Sequence, residues 1–331
     1  MTQPRFDIVA IGNAIVDVIA VTNDIFLDQH GMTKGSMQLV DANQAAALYA
    51  KMGPGTEISG GSAANTIAGM AALGCSCGFI GQIADDQLGR VFSHDIRAIG
   101  VQFDTPARAA EPPTAQCLIL VTPDGQRTMN TFLGASQYLP AKAIDADLIA
   151  SAAILYLEGY LWDPAEPRAA MQAAIACAKD AGRKVAFTLS DAFVIDRYRA
   201  DFNALIDAGQ IDILFANEVE ICSLTQIDDF DAAVEAVEAK VPLLIVTRGE
   251  NGAIAIKDGV HTVVRAEPVA KVIDTTGAGD LFAAGFLSGQ AQGRSIQDSL
   301  IMGSVCAAEI ISHFGPRPEG DLATLVKARL G

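Results

Sequence analysis

Apolar runs and amphipathic stretches alternate along this chain. FDIVAIG (6–12), ILYLEGY (154–160), VAFTLS (185–190), IDILFAN (211–217) and PLLIVTRG (242–249) read as buried strands. Between them lie helical patterns such as PAEPRAAMQAAIACAKDAG (164–182), with Pro near its start and Gly182 just past its end. Continuous Val/Ile/Leu strands separated by amphipathic helices predict a parallel sheet covered on both faces. The βαβα order is that of an open α/β fold. Two regions break the rhythm. VDVIAVTNDIFL (16–27) and SMQLV (36–40) look strand-like with no long helix between them, and TAQCLILVTPDGQRTMNTFLGA (114–135) reads as a hairpin turning at Pro-Asp-Gly. These predict a small β elaboration, a lid over the active face. Neither a low-complexity tract nor an internal repeat stands out.

Composition adds exclusions. The chain has 331 residues, 50% hydrophobic and 19% charged, enough for a large core in one elaborated domain or two domains. With 23 basic against 39 acidic residues, net −16, a nucleic-acid backbone or anionic membrane is a poor main partner. A local cationic site for an anionic ligand stays open. The six cysteines lack metal-site spacing: Cys75-Ser-Cys77 is the close pair and has no nearby His. They read as ordinary thiols of a reducing cytosol. MTQPRFDIVAIGN carries no basic region followed by an apolar one, and no apolar run approaches the ~20 residues of a membrane span. A soluble, cytoplasmic protein is expected.

In open α/β sheets, ligands gather at the carboxyl ends of the strands. The polar groups there are Gly12-Asn13…Asp17, Asn217-Glu218-Val219-Glu220, Thr247-Arg248-Gly249…Gly252 and Asp274–Asp280. Each has a plain alternative: Asn217 could cap the next helix, and Thr-Arg-Gly-Glu-Asn-Gly could be a turn. The heptapeptide DTTGAGD (274–280) is the most informative. Gly277-Ala278-Gly279 precede a helix expected over about 279–290, whose free amides and dipole suit an anion. Small side chains let a phosphate approach the backbone, so no P-loop lysine is required. Asp280 beside such a seat makes sense if a hydroxyl sits between carboxylate and phosphate and yields its proton to the acid. That chemistry is a kinase acting on an alcohol. The alternative is a Gly-rich helix start with an ordinary first-turn Asp.

DTTGAGDLFAAGFL (274–287) resembles the carboxyl-side signature of the ribokinase-like, or PfkB, carbohydrate and nucleoside kinases, and SGGSAANTIAGMAALG (59–74) their amino-side signature. The resemblance continues through ANEVE (216–220) and VTRGENG (246–252), nearly the whole chain in family order. GNAIVDV (12–18), NDIFLDQHG (23–31), FTLSDAF (187–193) and DILFANEVE (212–220) look most like the adenosine kinase branch. The resemblance implies one domain over 1–331: an open, mostly parallel sheet sandwiched by helices, with lid strands at about 14–40 and 101–135. It also implies ATP and Mg²⁺, and a substrate site of Asn13, Asp17, Gly61 and Asn65, the last three on the ribose hydroxyls. Asp280 would be the base on the 5′-hydroxyl, with the Gly277, Ala278 and Gly279 amides as anion hole. Asn217 and Glu220 would order Mg²⁺ through its water shell. Thr247, Gly249 and Gly252 would line the ATP site, with Arg127 closing over the phosphates. A K⁺ ion would sit near Asp274 and Thr276.

The base pocket departs from the branch. Leu39 and Phe193 fall where apolar residues pack on the nucleobase, but Leu161 replaces an expected aromatic, Thr276 stands where Asn is common, and QRTMNTFLGAS (126–136) diverges. Adenosine leads as substrate, with inosine, guanosine, ribose and fructose as alternatives. A silent nucleoside sensor would be expected to have lost Asp280 or an anion-hole glycine, and neither is lost. A dinucleotide oxidoreductase is disfavoured because IGNAIVD lacks the later glycines of G-x-G-x-x-G. Lid edges would permit either a monomer or a homodimer.

Overall fold

The computed structural model describes residues 4–109 and 111–331. The readings of the amino terminus and of 101–135 extend, at residues 1–3 and 110, outside the described residues. The strands are β1 (Phe6–Ile11), β2 (Ile15–Val21), β3 (Met37–Leu39), β4 (Gly55–Gly60), β5 (Cys77–Ile80), β6 (Ala115–Val121) and β7 (Arg127–Phe132), followed by β8 (Ala152–Glu158), β9 (Lys184–Thr188), β10 (Ile213–Asn217), β11 (Leu243–Thr247), β12 (Ala253–Lys257) and β13 (Val260–Val264). The larger sheet has eight strands in the order β13-β12-β11-β10-β9-β8-β1-β5. The run from β5 to β11 is parallel, and β12 and β13 add antiparallel.

Alternate residues of one strand enter different cores. Ile8 and Ala10 join Tyr156 and Phe215 against the helices Ser62–Ala72, Ala278–Ala291 and Ile296–Ile310. Val9 and Ile11 join Leu155, Leu157 and Phe187 against the helices Ala165–Asp180 and Ala192–Asp207. Burial on both faces is why these strands read as unbroken apolar runs.

The β elaboration is a five-stranded sheet, β3-β7-β6-β2-β4. Its hairpin is as expected: β6 and β7 pair antiparallel across Thr122–Gln126. One face packs Val16, Val18, Leu118 and Leu120 into the first core, and the other presents Ile15, Cys117 and Ile119. Three expectations need correction. The strand over 16–27 stops at Val21, because Asn23 Oδ1 accepts the Phe26 amide at 2.9 Å and caps the helix Asp24–Gln29. The lid ranges of about 14–40 and 101–135 also leave out GTEISG, which forms β4 beside β2. Pairing context, rather than intrinsic propensity, makes it a strand. Residues 101–109 and 111–114 form no strand; Gln102 and Arg108 make isolated bridges to Gly78 and Ala84.

Arg127 of β7 ties the β elaboration to the loop before the helix Ala278–Ala291, its Nη1 lying 3.0 Å from Asp274 Oδ2, with both side chains nearly inaccessible. The approach is close but poorly aligned for a hydrogen bond. Arg127→Met leaves Asp274 buried without its countercharge and should cost ~3–5 kcal/mol in a urea titration. Lys34→Ala, removing solvent-screened pairs with Asp24 and Asp124, should leave the urea midpoint almost unchanged. Equal losses would mean that the buried pair adds nothing.

Candidate active site

The helices Ser62–Ala72 and Ala278–Ala291 meet where Gly69 has no side chain; a Cβ there would lie 2.6 Å from Leu281 Cδ1 and 2.7 Å from Ala284 Cβ. This close approach carries the first turns of both helices together. Ser62 Oγ donates to Asp280 Oδ1 at 2.6 Å and Asn65 Nδ2 to Oδ2 at 3.0 Å. Burial pushes the Asp280 carboxyl above its ordinary pKa, opposed by these two donors and the Arg317 charge. Asp17, on β2, is pushed up to about 7 by burial, against the charges of Arg317 and Arg127 and with that of Asp280. Asn65 Oδ1 is buried without a hydrogen-bond partner. It is an acceptor suited to a ligand hydroxyl.

Gly277, at φ +78°, starts the helix with no side-chain cap, which leaves first-turn amides unpartnered as the sequence predicts. The Ala278 amide departs from this, donating to the Thr275 carbonyl at 3.2 Å. Two cavities converge on this helix start. One, of about 450 Å³, is lined by Asp17, Gly61, Asn65, Asn217, Glu220 and Thr276. The other, of about 540 Å³, is lined by Gly249, Gly252 and the apolar Pro268, Val269, Val272 and Ile311. Thr247, Thr275, Ala278, Gly279 and Phe282 wall both, and Asp280 faces the first.

The other residues singled out from sequence divide between the cleft wall and positions away from it. Asn13 is buried beneath the cleft, its backbone amide and Nδ2 both donating to Glu158 Oε1 at 2.8 and 2.7 Å. Leu39 and Phe193 are exposed, 59% and 63%, and line neither cavity. Leu39 lies on the exposed strand β3, and the Phe193 ring stacks on Arg197, 4.1 Å away. Leu161 is wholly buried, and the neighbouring Tyr160 lines the first cavity instead. Arg127 is held by Asp274 rather than offered to the second cavity. Asn217 does cap its helix, in a reciprocal box with Glu220: Asn217 Oδ1 accepts the Glu220 amide at 2.8 Å and Glu220 Oε2 the Asn217 amide at 3.0 Å. Both still line the cleft, and burial pushes Glu220 up to about 7. Asp274 accepts the Thr276 amide at 3.0 Å and the Gly315 amide at 3.3 Å as well as facing Arg127, so its carboxylate is already occupied.

Two charged residues escaped the sequence reading. Glu158, fully buried at the end of β8 and pushed up to about 7, also accepts the Ala63 amide at 2.7 Å. A carboxylate ending a buried apolar strand was the available signal. Arg317 lies beyond the last signature, and nothing local in GPRPEG marked it.

Known proteins share this fold. The sequence profile described as pfkB family carbohydrate kinase matches residues 6–321. A probable sugar kinase from Rhizobium etli superposes with a TM-score of 0.92 at 46% identity, covering 99% of each chain. An adenosine kinase from Sinorhizobium meliloti does so with 0.91 at 45%, covering 98% of this chain and 99% of its own. The 5-dehydro-2-deoxygluconokinase of Shouchella clausii is 28% identical over 316 residues, 93% of this chain and 90% of the relative. Among the described residues no helix is long and apolar enough to cross a membrane. This chain belongs to the pfkB family of carbohydrate kinases, phosphotransferases that act on hydroxyl groups of sugars or nucleosides.

Proposed function

We propose that the protein transfers the γ-phosphoryl group of ATP to the 5′-hydroxyl of a nucleoside, with adenosine the leading substrate. The observation that carries this reading is the pair of cavities sharing one helix start, with Asp280 on the side of the first. The alcohol occupies the first cavity, where Asp17 and Asn65 take its hydroxyls and Tyr160 offers a ring to the base. The apolar wall of the second suits a nucleotide base, and the Gly277 and Gly279 amides receive phosphate charge. Asp280 accepts the hydroxyl proton as that oxygen bonds to phosphorus and the bond to the leaving ADP breaks. Mg²⁺ would neutralise phosphate charge; Asn217 and Glu220 fit a hydrated ion, because the capped carboxylate keeps free lone pairs facing the cleft. A K⁺ ion near the anion hole would rest on backbone carbonyls around Asp274 and Thr276, which the engagement of the Asp274 carboxylate leaves open to it.

A sugar kinase is the second reading, favoured by Leu39 and Phe193 lying away from the cleft, where no base could touch both. ADP release with Mg-ATP and K⁺ across adenosine, inosine, guanosine, cytidine, ribose and fructose separates the two. Preference for adenosine is expected; preference for a free sugar would overturn the nucleoside assignment while keeping Asp280.

The anion seat has its own test in Gly279→Ala. A Cβ there meets no heavy atom within 4 Å, so stability should hold or rise by up to ~1 kcal/mol. The methyl would nevertheless crowd an anion on the amides, and the KM for ATP should climb at least ~10-fold, about 1.4 kcal/mol of lost contact. An unchanged KM would remove phosphate from that seat.

A further inference from the structure

We propose that Arg317 is a positioning residue for phosphoryl transfer: its guanidinium clamps both ends of the Gly60-Gly61-Ser62 turn and so aims the donors that hold Asp280. The side chain reaches in from the segment beyond the helix Ile296–Ile310. Nε and Nη2 donate to the Ser59 carbonyl at 2.9 and 2.6 Å, Nη2 to Ser59 Oγ at 3.0 Å, and Nη1 to the Ala64 carbonyl at 2.7 Å. Ser59 belongs to the end of β4 and Ala64 to the first turn of the next helix. Between them lies Ser62 and directly after them Asn65, the two donors on Asp280. From the opposite side, Glu158 accepts the Ala63 amide, so buried groups of opposite sign grip one short segment.

All four bonds of Arg317 go to neutral oxygens, so its charge is left to act on the cleft. It faces Asp17 on β2, Asp280 on its helix and Asp95 on the helix Gln87–Ala98. Burial pushes the guanidinium down to about 10, so it stays cationic at neutral pH. Arg127 on β7 adds positive charge at Asp17, while Glu158, Tyr156 and Tyr160 face Asp280 from β8 and the turn after it. Without Arg317, two carboxylates would share a desolvated cleft with less countercharge, and their proton affinities would rise together. Geometry and charge are separable, because lysine keeps the charge but its ammonium cannot span two carbonyls as a planar fork does.

The proposal rests on Asp280 acting as base, so wild type, R317K and R317Q are compared by ADP release over acid to neutral pH. The substrate is adenosine or, if faster, inosine, guanosine, cytidine, ribose or fructose. R317Q should lose at least ~10-fold in kcat through misplacement of the site, and its acid limb should move up by about one pH unit. R317K should show the kcat loss with the limb unmoved, a split that simple destabilisation does not produce. A wild-type limb in R317Q, or full kcat in R317K, overturns the proposal. If thermal melting shows R317Q unfolded, R317K alone decides: reduced kcat with an unmoved limb supports the clamp, and full kcat or a moved limb rejects it. Wild type silent on all six compounds would overturn the proposed substrate reading, on which this inference rests.

Discussion

Asp280→Asn should lower kcat by ~10²–10⁴, the range for losing a positioned general base, while nucleoside affinity changes little. The substitution keeps the shape of the side chain and one oxygen for the Ser62 or Asn65 donor, now at 2.6 and 3.0 Å. What it removes is the site for the proton that leaves the hydroxyl. Stopped-time ADP assays give kcat, and calorimetric titration with adenosine gives the affinity. Near-normal turnover would end the assignment of Asp280. The pH dependence has a definite sign. Burial holds the Asp280 carboxyl above its ordinary value, so wild-type activity should fall as pH drops through a limb higher than a free carboxylate would set. Asp17, near 7, titrates close by, so the limb belongs to the pair.

Gly61→Ala should destabilise the protein by ~2–5 kcal/mol and depress turnover as well, combining backbone strain with overpacking. Gly61 sits at φ +101°, ψ 144°, a conformation that residues with side chains rarely adopt. A Cβ would also run into the Asn13 carbonyl oxygen. That oxygen cannot easily retreat, because the Asn13 amide and side chain are both fastened to Glu158. The strain must therefore pass along the turn to Ser62 and Asn65, the groups on Asp280. Chemical denaturation and kcat measured on one preparation check both halves. A stable variant with normal kcat would show that the turn has slack and that its geometry is not what orders the site.

The buried strands and the helix starts were readable because their causes are local. Pro-Asp-Gly makes a hairpin wherever it sits between β-prone runs, and the helix expected from about 279 begins at Ala278 because a glycine at positive φ ends the preceding loop. The same locality explains the failures. GTEISG lacks a strand's pattern and pairs because β2 lies beside it, and NDIFL contains apolar residues but starts with a cap.

By itself, the amino-acid sequence determined the parallel α/β core, the anion-ready helix start and the acid three residues into DTTGAGD's glycine end, since period, turn chemistry and spacing act over a few residues. Tertiary structure alone decided which charges are buried and what they hold. Glu158 meets Asn13 across 145 positions, and Arg317 meets Ser59 across 258. It also left Leu39 and Phe193 in solvent and brought Tyr160 to the cleft. Desolvation has no signature in a short stretch of chain: a carboxylate or guanidinium is costly or useful only once distant elements close around it.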